Sequence, residues 1–299
     1  MRRGTYSIVA RDASSEELGV AVQSHWFAVG SVVAWARPGV GAVATQSVAE
    51  VAHGPNTLQR LQEGHEPAAA IAAVLATDDS ARYRQLGVVD AGGRVDAHTG
   101  DGCIAHAGDV QGDGFSCQAN MMETTGVPEA MAAAYRAADG DLAARLLAAL
   151  DAAEAHGGDV RGRQSAALLV VPATGESWRT RFDVRIEDHE DPLAELRRLV
   201  RFARAYEIAG EADERVAEGA HEQATRLYSE AAALAPEADE LTFWAGLGLA
   251  AEDLDAGADL VRRAALVKPA WLTLLDRLPT ELAPTAAAVS AALRARSDS

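Results

Sequence analysis

The chain of 299 residues is short of lysine, cysteine and long apolar runs. Lys268 is its only lysine, so residues 1–267 can supply no Schiff base, no P-loop lysine and no lysine general base. Cys103 and Cys117 are too few for a disulfide framework or a CxxC metal site. No stretch approaches the roughly 18 apolar residues of a membrane-spanning helix. We therefore expect no membrane partner.

Positive charge is also scarce, since 27 basic residues face 44 acidic ones and leave a formal net charge of −17. Such a field repels nucleic-acid phosphates and anionic lipid, which excludes nucleic acid as the main partner. The basic start at 1–4 runs directly into a strand pattern, without the apolar core of a secretion signal. We expect a cytoplasmic protein.

The spacing of apolar residues divides the first 190 or so residues into alternating strand-like and helix-like blocks. Apolar alternation predicts strands, and a helical period predicts two helix pairs between them. The order predicts two antiparallel sheets packed face to face with helix pairs outside, a four-layer αββα sandwich of the α+β class over residues 1–195. The predicted strands are 5–12, 17–24, 28–37, 39–47, 85–90, 94–99, 102–107, 114–119, 165–171 and 178–187; the helices are 56–63, 66–77, 128–138 and 141–156.

Residues 196–299 lack strand patterns and predict an all-α domain, entered by a long helix over 192–209. Small residues, one large residue and a proline recur there with a spacing close to the ~34 residues of a tetratricopeptide repeat. Two degenerate repeats also fit an ordinary helical bundle, and both alternatives stay open. The repeat comprises Gly219, Ala224, Tyr228, Ala231 and Pro236, followed 33 positions after the last four by Gly257, Val261, Ala264 and Pro269.

The dipeptide Gly4-Thr5 opens the first predicted strand. A threonine freed at a chain terminus carries its own general base, because a free α-amino group has a pKa of about 8. That amine can accept the hydroxyl proton while Oγ attacks a carbonyl. A Gly-Thr bond is sterically open to attack by the same hydroxyl, which would release the terminus. Taken alone, Gly4-Thr5 is more often a plain strand residue pair.

Several segments together resemble an uncharacterised prokaryotic family, domain of unknown function 1028, over about residues 5–200. The resemblance implies the fold of the N-terminal-nucleophile (Ntn) hydrolases and names no substrate. Members commonly begin Met-Thr, whereas four residues precede Thr5 here. Either the Gly4–Thr5 bond is cleaved, or the start is too early, or Thr5 stays internal and inactive. The segments are TYSIVARD (5–12), LGVAVQS (18–24), VGAVATQ (40–46), GVVD (87–90), AHTG (97–100), GFSCQANM (114–121), GGDVRGRQSAALLV (157–170), DVRIEDH (183–189) and DPLAEL (191–196).

Further candidates are polar residues at strand ends and in the glycine-rich loop 157–164. By the resemblance, a polar loop at this place orients the nucleophile, and strand-end amides could hold an oxyanion. The alternatives are a tight turn with solvent-facing arginines and strand-end groups that only satisfy the backbone. The candidate orienting or substrate-binding residues are Ser24, Gln46, Gln118, Asn120, Asp159, Arg163 and Ser165.

The eight histidines show no metal spacing, and we expect neither a metal nor a cofactor. His98 and His189 fit structural or surface roles better than catalytic ones. The acids Asp188, Glu190 and Asp191 fit an exposed linker better than a cation site. Both cysteines lack an activating neighbour and fit buried apolar positions.

These observations favour an Ntn-type amidohydrolase that acts on a small amide or peptide-like bond, with Thr5 as nucleophile. Its partner would be a small-molecule amide substrate, and superfamily members often form homo-oligomers. The alternative is a non-catalytic Ntn-fold scaffold whose helical tail recruits a protein partner.

Overall fold

The computed structural model describes residues 4–297 and has two compact units, with the boundary between Arg198 and Leu199. This boundary falls three residues after the predicted one. All strands of the described chain lie in the first unit. They are β1 (Thr5–Arg11), β2 (Leu18–Ser24), β3 (Ala34–Arg37), β4 (Gly41–Ser47), β5 (Arg84–Asp90), β6 (Val95–Thr99), β7 (Gly108–Gly112), β8 (Phe115–Asn120), β9 (Ser165–Val171) and β10 (Phe182–Ile186).

Helices occupy both units, and one of them, α6, contains the boundary. They are α1 (Gly30–Val33), α2 (His53–Gln62), α3 (Pro67–Leu75), α4 (Val127–Ala137), α5 (Leu142–Ala155), α6 (Pro192–Ala217), α7 (His221–Leu234), α8 (Asp239–Leu249), α9 (Leu254–Val267), α10 (Ala270–Leu275) and α11 (Ala286–Ser297), with a 3-10 turn at Ala81–Tyr83. Within residues 4–297, no helix combines the length and the apolar character needed to cross a membrane.

The ten strands form two antiparallel sheets. The six-stranded sheet has the order β10-β9-β2-β1-β8-β7, and the four-stranded sheet has the order β3-β4-β5-β6. β1 packs against β4 and β5 of the other sheet, while α4 and α5 cover the six-stranded sheet and α2 and α3 cover the four-stranded one. The prediction of a mixed α+β chain with antiparallel sheets and a helical C-terminal region is confirmed.

The space between the sheets is apolar toward one end and polar toward the other. Because side chains alternate between the two faces of a strand, Val9 of β1 and Val20 and Val22 of β2 point into the space between the sheets. There they form a buried cluster with residues of β4 and β9. By the same alternation, Thr5 and Ser24 also point into this space, at its opposite end, and both are fully buried. The fold thus provides a rigid base for a polar site at one end of the sheets.

One predicted strand is wrong and another is predicted to begin six residues too early, and both lie where the chain changes sheets. Residues 28–37 contain the short helix α1 before β3, because the chain must leave β2 in one sheet and enter the other. Residues 102–107 form bends, and the strand is β7 instead, since the chain here crosses from β6 back to the six-stranded sheet. The predicted helix over 192–209 is longer, because α6 continues through Gly210 to Ala217.

In the second unit, the repeat positions that lie on helices are buried in both copies, whereas Gly219, Pro236 and Pro269 are exposed. Ala224, Tyr228 and Ala231 of α7 are buried, as are their counterparts on α9. A Cβ on Gly257 would lie 2.6 Å from the backbone N of Ala250, so a glycine lets α9 approach the end of α8 closely. Small residues therefore set the spacing of this helix pair.

Gly87 of β5 provides a test of how tightly the sheets pack. A Cβ there would overlap the side-chain amide of Gln118, which the hydrogen bond from its Nε2 to Ser7 Oγ (2.8 Å) holds in place. We expect Gly87→Ala to lower the free energy of unfolding by about 1–3 kcal/mol, because the buried amide would have to move. Urea denaturation followed by circular dichroism measures the change.

Gly108 of β7 is the matched control, since no atom lies within 4 Å of a Cβ built there. We expect Gly108→Ala to leave stability unchanged or raise it by about 0.4–1 kcal/mol. Equal losses from the two variants would contradict the close packing inferred at Gly87.

Candidate active site

Four of the predicted residues lie in one row across the six-stranded sheet. In the strand register, Ser165 of β9 pairs with Ser24 of β2, Ser24 pairs with Thr5 of β1, and Thr5 pairs with Asn120 of β8. All four are at most 1% exposed. Residues paired in this way on one face have Cβ atoms about 5 Å apart, so the strand pairing itself brings these side chains together.

The hydroxyl of Thr5 starts a short hydrogen-bonded chain. Thr5 Oγ1 donates to Ser24 Oγ at 3.1 Å, and Ser24 Oγ donates to the carbonyl oxygen of Gly4. Arg161 Nη2 donates to the same carbonyl oxygen at 3.0 Å. The carbonyl of the Gly4–Thr5 peptide bond therefore accepts two hydrogen bonds, one of them from a charged group.

Asp159 holds Arg161 in this position. Its side chain is buried and accepts from Arg161 Nη2 at 2.7 Å and from the backbone N–H of His25 at 3.0 Å. A Cβ on Gly4 would lie 2.7 Å from Asp159 Oδ1, so the carboxylate packs against the Cα of that glycine. Asp159 thus fixes the guanidinium, and a side chain at position 4 would have to displace this carboxylate.

Two of the predicted amides, those of Gln46 and Asn120, lie near the carbonyl oxygen of Thr5. Gln46 Nε2 donates to Gln85 Oε1 at 2.8 Å and lies 3.4 Å from the carbonyl oxygen of Thr5. Asn120 Nδ2 also donates to Gln85 Oε1, at 2.9 Å, and lies 3.5 Å from the Thr5 carbonyl oxygen. Gln118 contacts Ser7, whose hydroxyl in turn donates to Gln46 Oε1 at 2.6 Å. These amides are used to position β1.

Ser165 and Arg163 have other contacts. Ser165 Oγ accepts from the backbone N–H of Val29 at 3.1 Å and donates to the carbonyl of Trp26, so it anchors the segment after β2. Arg163 pairs with Glu154 at 3.4 Å and with Asp191 at 3.3 Å. Among the described residues, none of its side-chain contacts is with Thr5, Ser24 or Gly4.

Glu154 is also the acceptor of a buried tyrosine on β1. Tyr6 OH donates to Glu154 Oε2 at 2.7 Å, and burial together with this carboxylate raises the pKa of Tyr6 well above its ordinary value. Tyr6 is therefore a neutral donor on the helix-covered face of β1, opposite to the face that carries Thr5.

Sequence reasoning missed Arg161 and Gln85. Arg161 lies two residues from both Asp159 and Arg163 in a loop with no strand or helix period, and nothing in the pattern distinguished the two arginines. Gln85, in contrast, could have been found from the period of its strand. It precedes Gly87 by two positions on β5, so strand alternation places it on the same inward face.

The remaining candidates have structural contacts. Burial raises the pKa of both Cys103 and Cys117, which disfavours their thiolates. His98 Nε2 lies 3.1 Å from the carbonyl of Ala81, and His189 Nδ1 accepts from the backbone N–H of Asp191 at 2.9 Å. In the part of the chain that the structure describes, no three His, Cys, Asp or Glu residues are arranged to hold a metal ion, the acids at 188–191 included.

A small cavity of about 140 Å³ shares Asn120 with the Thr5 site. Two of its residues, Ser47 and Met121, have positive φ angles of 70° and 58° and directly follow Gln46 and Asn120. Such strained backbone in non-glycine residues persists where the surrounding structure fixes it, and it is common at functional sites. The cavity is lined by Ser47, Val48, Tyr83, Gly102, Ile104, Asn120 and Met121.

Comparisons with known proteins give a family for the chain. Residues 5–196 match the model of a family of unknown function, DUF1028. The crystal structure of protein SPO2555 from Silicibacter pomeroyi, of the same family, is 32% identical with a TM-score of 0.62, covering 67% of this chain and 86% of that one. No curated protein matches the chain.

A second solved structure, Anbu (ancestral beta-subunit) from Yersinia bercovieri, is 14% identical with a TM-score of 0.32, covering 64% of this chain and 91% of that one. A similarity this low supports no conclusion about function. The family model covers more than half of the residues and the Silicibacter protein is clearly similar, so the chain belongs to the DUF1028 family.

Proposed function

We propose that the first unit is an Ntn-hydrolase-like sandwich in which Thr5, once it is the first residue, hydrolyses an amide bond of a small or peptide-like substrate. The observation that carries the proposal is the Gly4 carbonyl, which accepts from Ser24 and Arg161 directly beside the Thr5 hydroxyl. Two donors on one carbonyl oxygen favour negative charge there, which is what a tetrahedral intermediate of acyl transfer needs.

The first reaction would be cleavage of the chain's own Gly4–Thr5 bond. Thr5 Oγ attacks the Gly4 carbonyl carbon, and its proton passes to Ser24 Oγ while the Ser24 proton moves to the carbonyl oxygen. The proton then passes from this oxygen through Ser24 Oγ to the Thr5 nitrogen as the C–N bond breaks, the C=O bond re-forms, and Gly4 becomes an ester on Thr5 Oγ. Water hydrolyses this ester to the Gly4 carboxylate and the free Thr5 amine. Arg161 stabilises the charge that develops on the oxygen.

Removal of Gly4 would vacate the place of its carbonyl oxygen beside Ser24 Oγ and Arg161 Nη2, while Arg161 keeps its hydrogen bonds to Asp159. Ser24 is fully buried, and a buried donor without a partner is costly, so this position favours the carbonyl oxygen of an incoming amide. Thr5 Oγ would then attack that carbonyl while the freed amine accepts the proton and passes it to the departing amine. Water would hydrolyse the acyl ester and regenerate Thr5.

The cavity beside Asn120 is the proposed site for the acyl part of the substrate. None of its lining residues is charged. A cavity of about 150 Å³ is large enough for benzene, so this one suits a neutral group up to the size of a leucine side chain. A charged group would be buried there without a partner, at a cost of several kcal/mol.

For the second unit, we propose a tetratricopeptide-like arrangement of α6 to α9. Its support is that the repeated small and large positions, including Tyr228 and Val261, are buried alike in both copies. Repeats of this kind present concave surfaces to ligands, which would give the unit a binding role.

Self-cleavage is tested by intact mass spectrometry of the full-length protein during synthesis in vitro. We expect loss of residues 1–4, no loss in Thr5→Ala, and cleavage slowed by about 100-fold or more in Arg161→Ala, because one oxyanion donor is removed. Arg163→Ala is the control, since its guanidinium pairs with Glu154 and Asp191. A wild-type chain that keeps residues 1–4, or a Thr5→Ala chain that loses them, would contradict the proposal.

Turnover should depend on the hydroxyl and the amine of Thr5. With N-acylated amino-acid 4-nitroanilides, we expect Thr5→Ser to retain part of the activity and Thr5→Ala to have none. The amine must be unprotonated to act as base, so the rate should fall as pH is lowered through a pKa of about 8 or below. Full activity of Thr5→Ala, or of a protein acetylated at that amine, would exclude this mechanism.

The cavity should set the size of the acyl group. We expect Val48→Phe, which fills it, to lower kcat/KM for a leucyl anilide by about tenfold or more and to spare the alanyl anilide. Val51→Phe is the control, since Val51 is exposed and lies outside the lining. Equal effects on the two substrates would place the acyl group elsewhere.

A further inference from the structure

The second unit contains a much larger cavity, of about 580 Å³. Side chains of α6, α7 and α8 line it, and the segment 282–285 borders it. All lining residues lie within 206–285, so the cavity is a feature of this unit alone. Its volume is in the range of sites for drug-sized small molecules, about 300–1,000 Å³.

Two carboxylates in the wall have tyrosine partners. Tyr206 OH donates to Glu240 Oε2 at 3.0 Å, and Tyr228 OH donates to Asp213 Oδ1. Burial, followed by the neighbouring carboxylate, raises the pKa of Tyr206 to about 12 and raises that of Tyr228 as well. Both phenols therefore stay neutral donors to these carboxylates near neutral pH.

Lysine and arginine are missing from this wall, and among the described lining residues the one basic side chain is that of His221. Among the residues that the structure describes, the lining includes no lysine or arginine, and neither Glu240 nor Asp213 forms an ion pair with one. Many other acids of the unit are paired, for example Glu237 with Arg201 and Asp259 with Arg296. Within the described part of the unit, no lysine or arginine therefore neutralises the carboxylates of Glu240 and Asp213.

The rest of the wall is mainly apolar and aromatic. Leu241, Leu247 and several alanines line it, and Trp244 adds an indole ring. Aromatic faces attract organic cations, and an apolar wall removes the hydrocarbon part of a ligand from water. This combination suits a ligand with an apolar body and a protonated amine.

We propose that this cavity binds a small organic amine in its protonated form, with the ammonium group at Glu240 and Asp213 and the apolar body against Trp244. Charge complementarity favours such a ligand, and the volume of about 580 Å³ is that of a small-molecule site. The inference is independent of Thr5 and holds whether or not the first unit is a hydrolase.

Three probes with one apolar body and different charges test the proposal. They are 4-phenylbutylamine, 4-phenylbutan-1-ol and 4-phenylbutyrate, each titrated into the full-length protein by calorimetry and by tryptophan fluorescence. We expect the amine to bind about tenfold or more tighter than the alcohol, because it adds charged hydrogen bonds, and the carboxylate to bind weakest.

Isosteric variants assign the effect to the two acids. In Glu240→Gln/Asp213→Asn, the amine should lose its advantage over the alcohol while the alcohol's affinity stays unchanged. Trp244→Phe should remove the fluorescence change. Asp259→Asn is the control, because Asp259 lies outside the cavity, and it should behave as wild type.

Amine binding no tighter than alcohol binding would overturn the proposal. Equal loss of amine affinity in Asp259→Asn would also overturn it, since the preference would then reflect only the overall negative charge. The same holds if a lysine-containing peptide, acetyl-Ala-Lys-Ala-amide, binds tighter than 4-phenylbutylamine, because the occupant would then be a protein segment.

Discussion

The pairing of β1 with β2 on one side and with β8 on the other holds Thr5 between Ser24 and Asn120. Because β1 is an inner strand, both of its edges are hydrogen-bonded, and a one-residue slip would turn Thr5 toward the helices and Tyr6 toward the other sheet. Tyr6 bonded to Glu154 on the opposite face opposes that slip. The register of one strand therefore fixes the geometry of the whole site.

The amides buried between the two sheets at this end satisfy one another, whereas the side chain of Gln23, on the other face of β2, has no hydrogen-bond partner among the described residues. Gln46, Gln85, Gln118 and Asn120 exchange hydrogen bonds with each other, with Ser7 and with backbone carbonyls. Buried amides without partners would cost about 1–3 kcal/mol each, whereas a fully connected network makes the arrangement rigid. Rigidity is what a site needs if hydroxyl and carbonyl are to keep their relative positions.

The sequence could predict the strand residues of this site because strands have a period of two. Thr5, Ser24 and Asn120 follow from that period once the strands are paired. Arg161 does not, because the loop 157–164 owes its course to glycines such as Gly158 and Gly162 with positive φ, and no repeating pattern tells which side chain turns inward. The changes of sheet before β3 and β7 were missed for a related reason. Apolar residues look alike whether a segment continues a sheet or crosses to another.

The lack of lysine in the first unit restricts how the proposed chemistry can work. An arginine stays charged and cannot serve as a base near neutral pH, but its planar group can donate to two acceptors at once. Arg161 does this with the Asp159 carboxylate and the Gly4 carbonyl. Its contribution is therefore electrostatic, and the general base must be another group. The described contacts of Thr5 Oγ1 include no histidine or carboxylate, only Ser24. In the proposed mechanism the remaining base is the amine of Thr5 itself. Cleavage of the Gly4–Thr5 bond releases this amine, so activity depends on that cleavage.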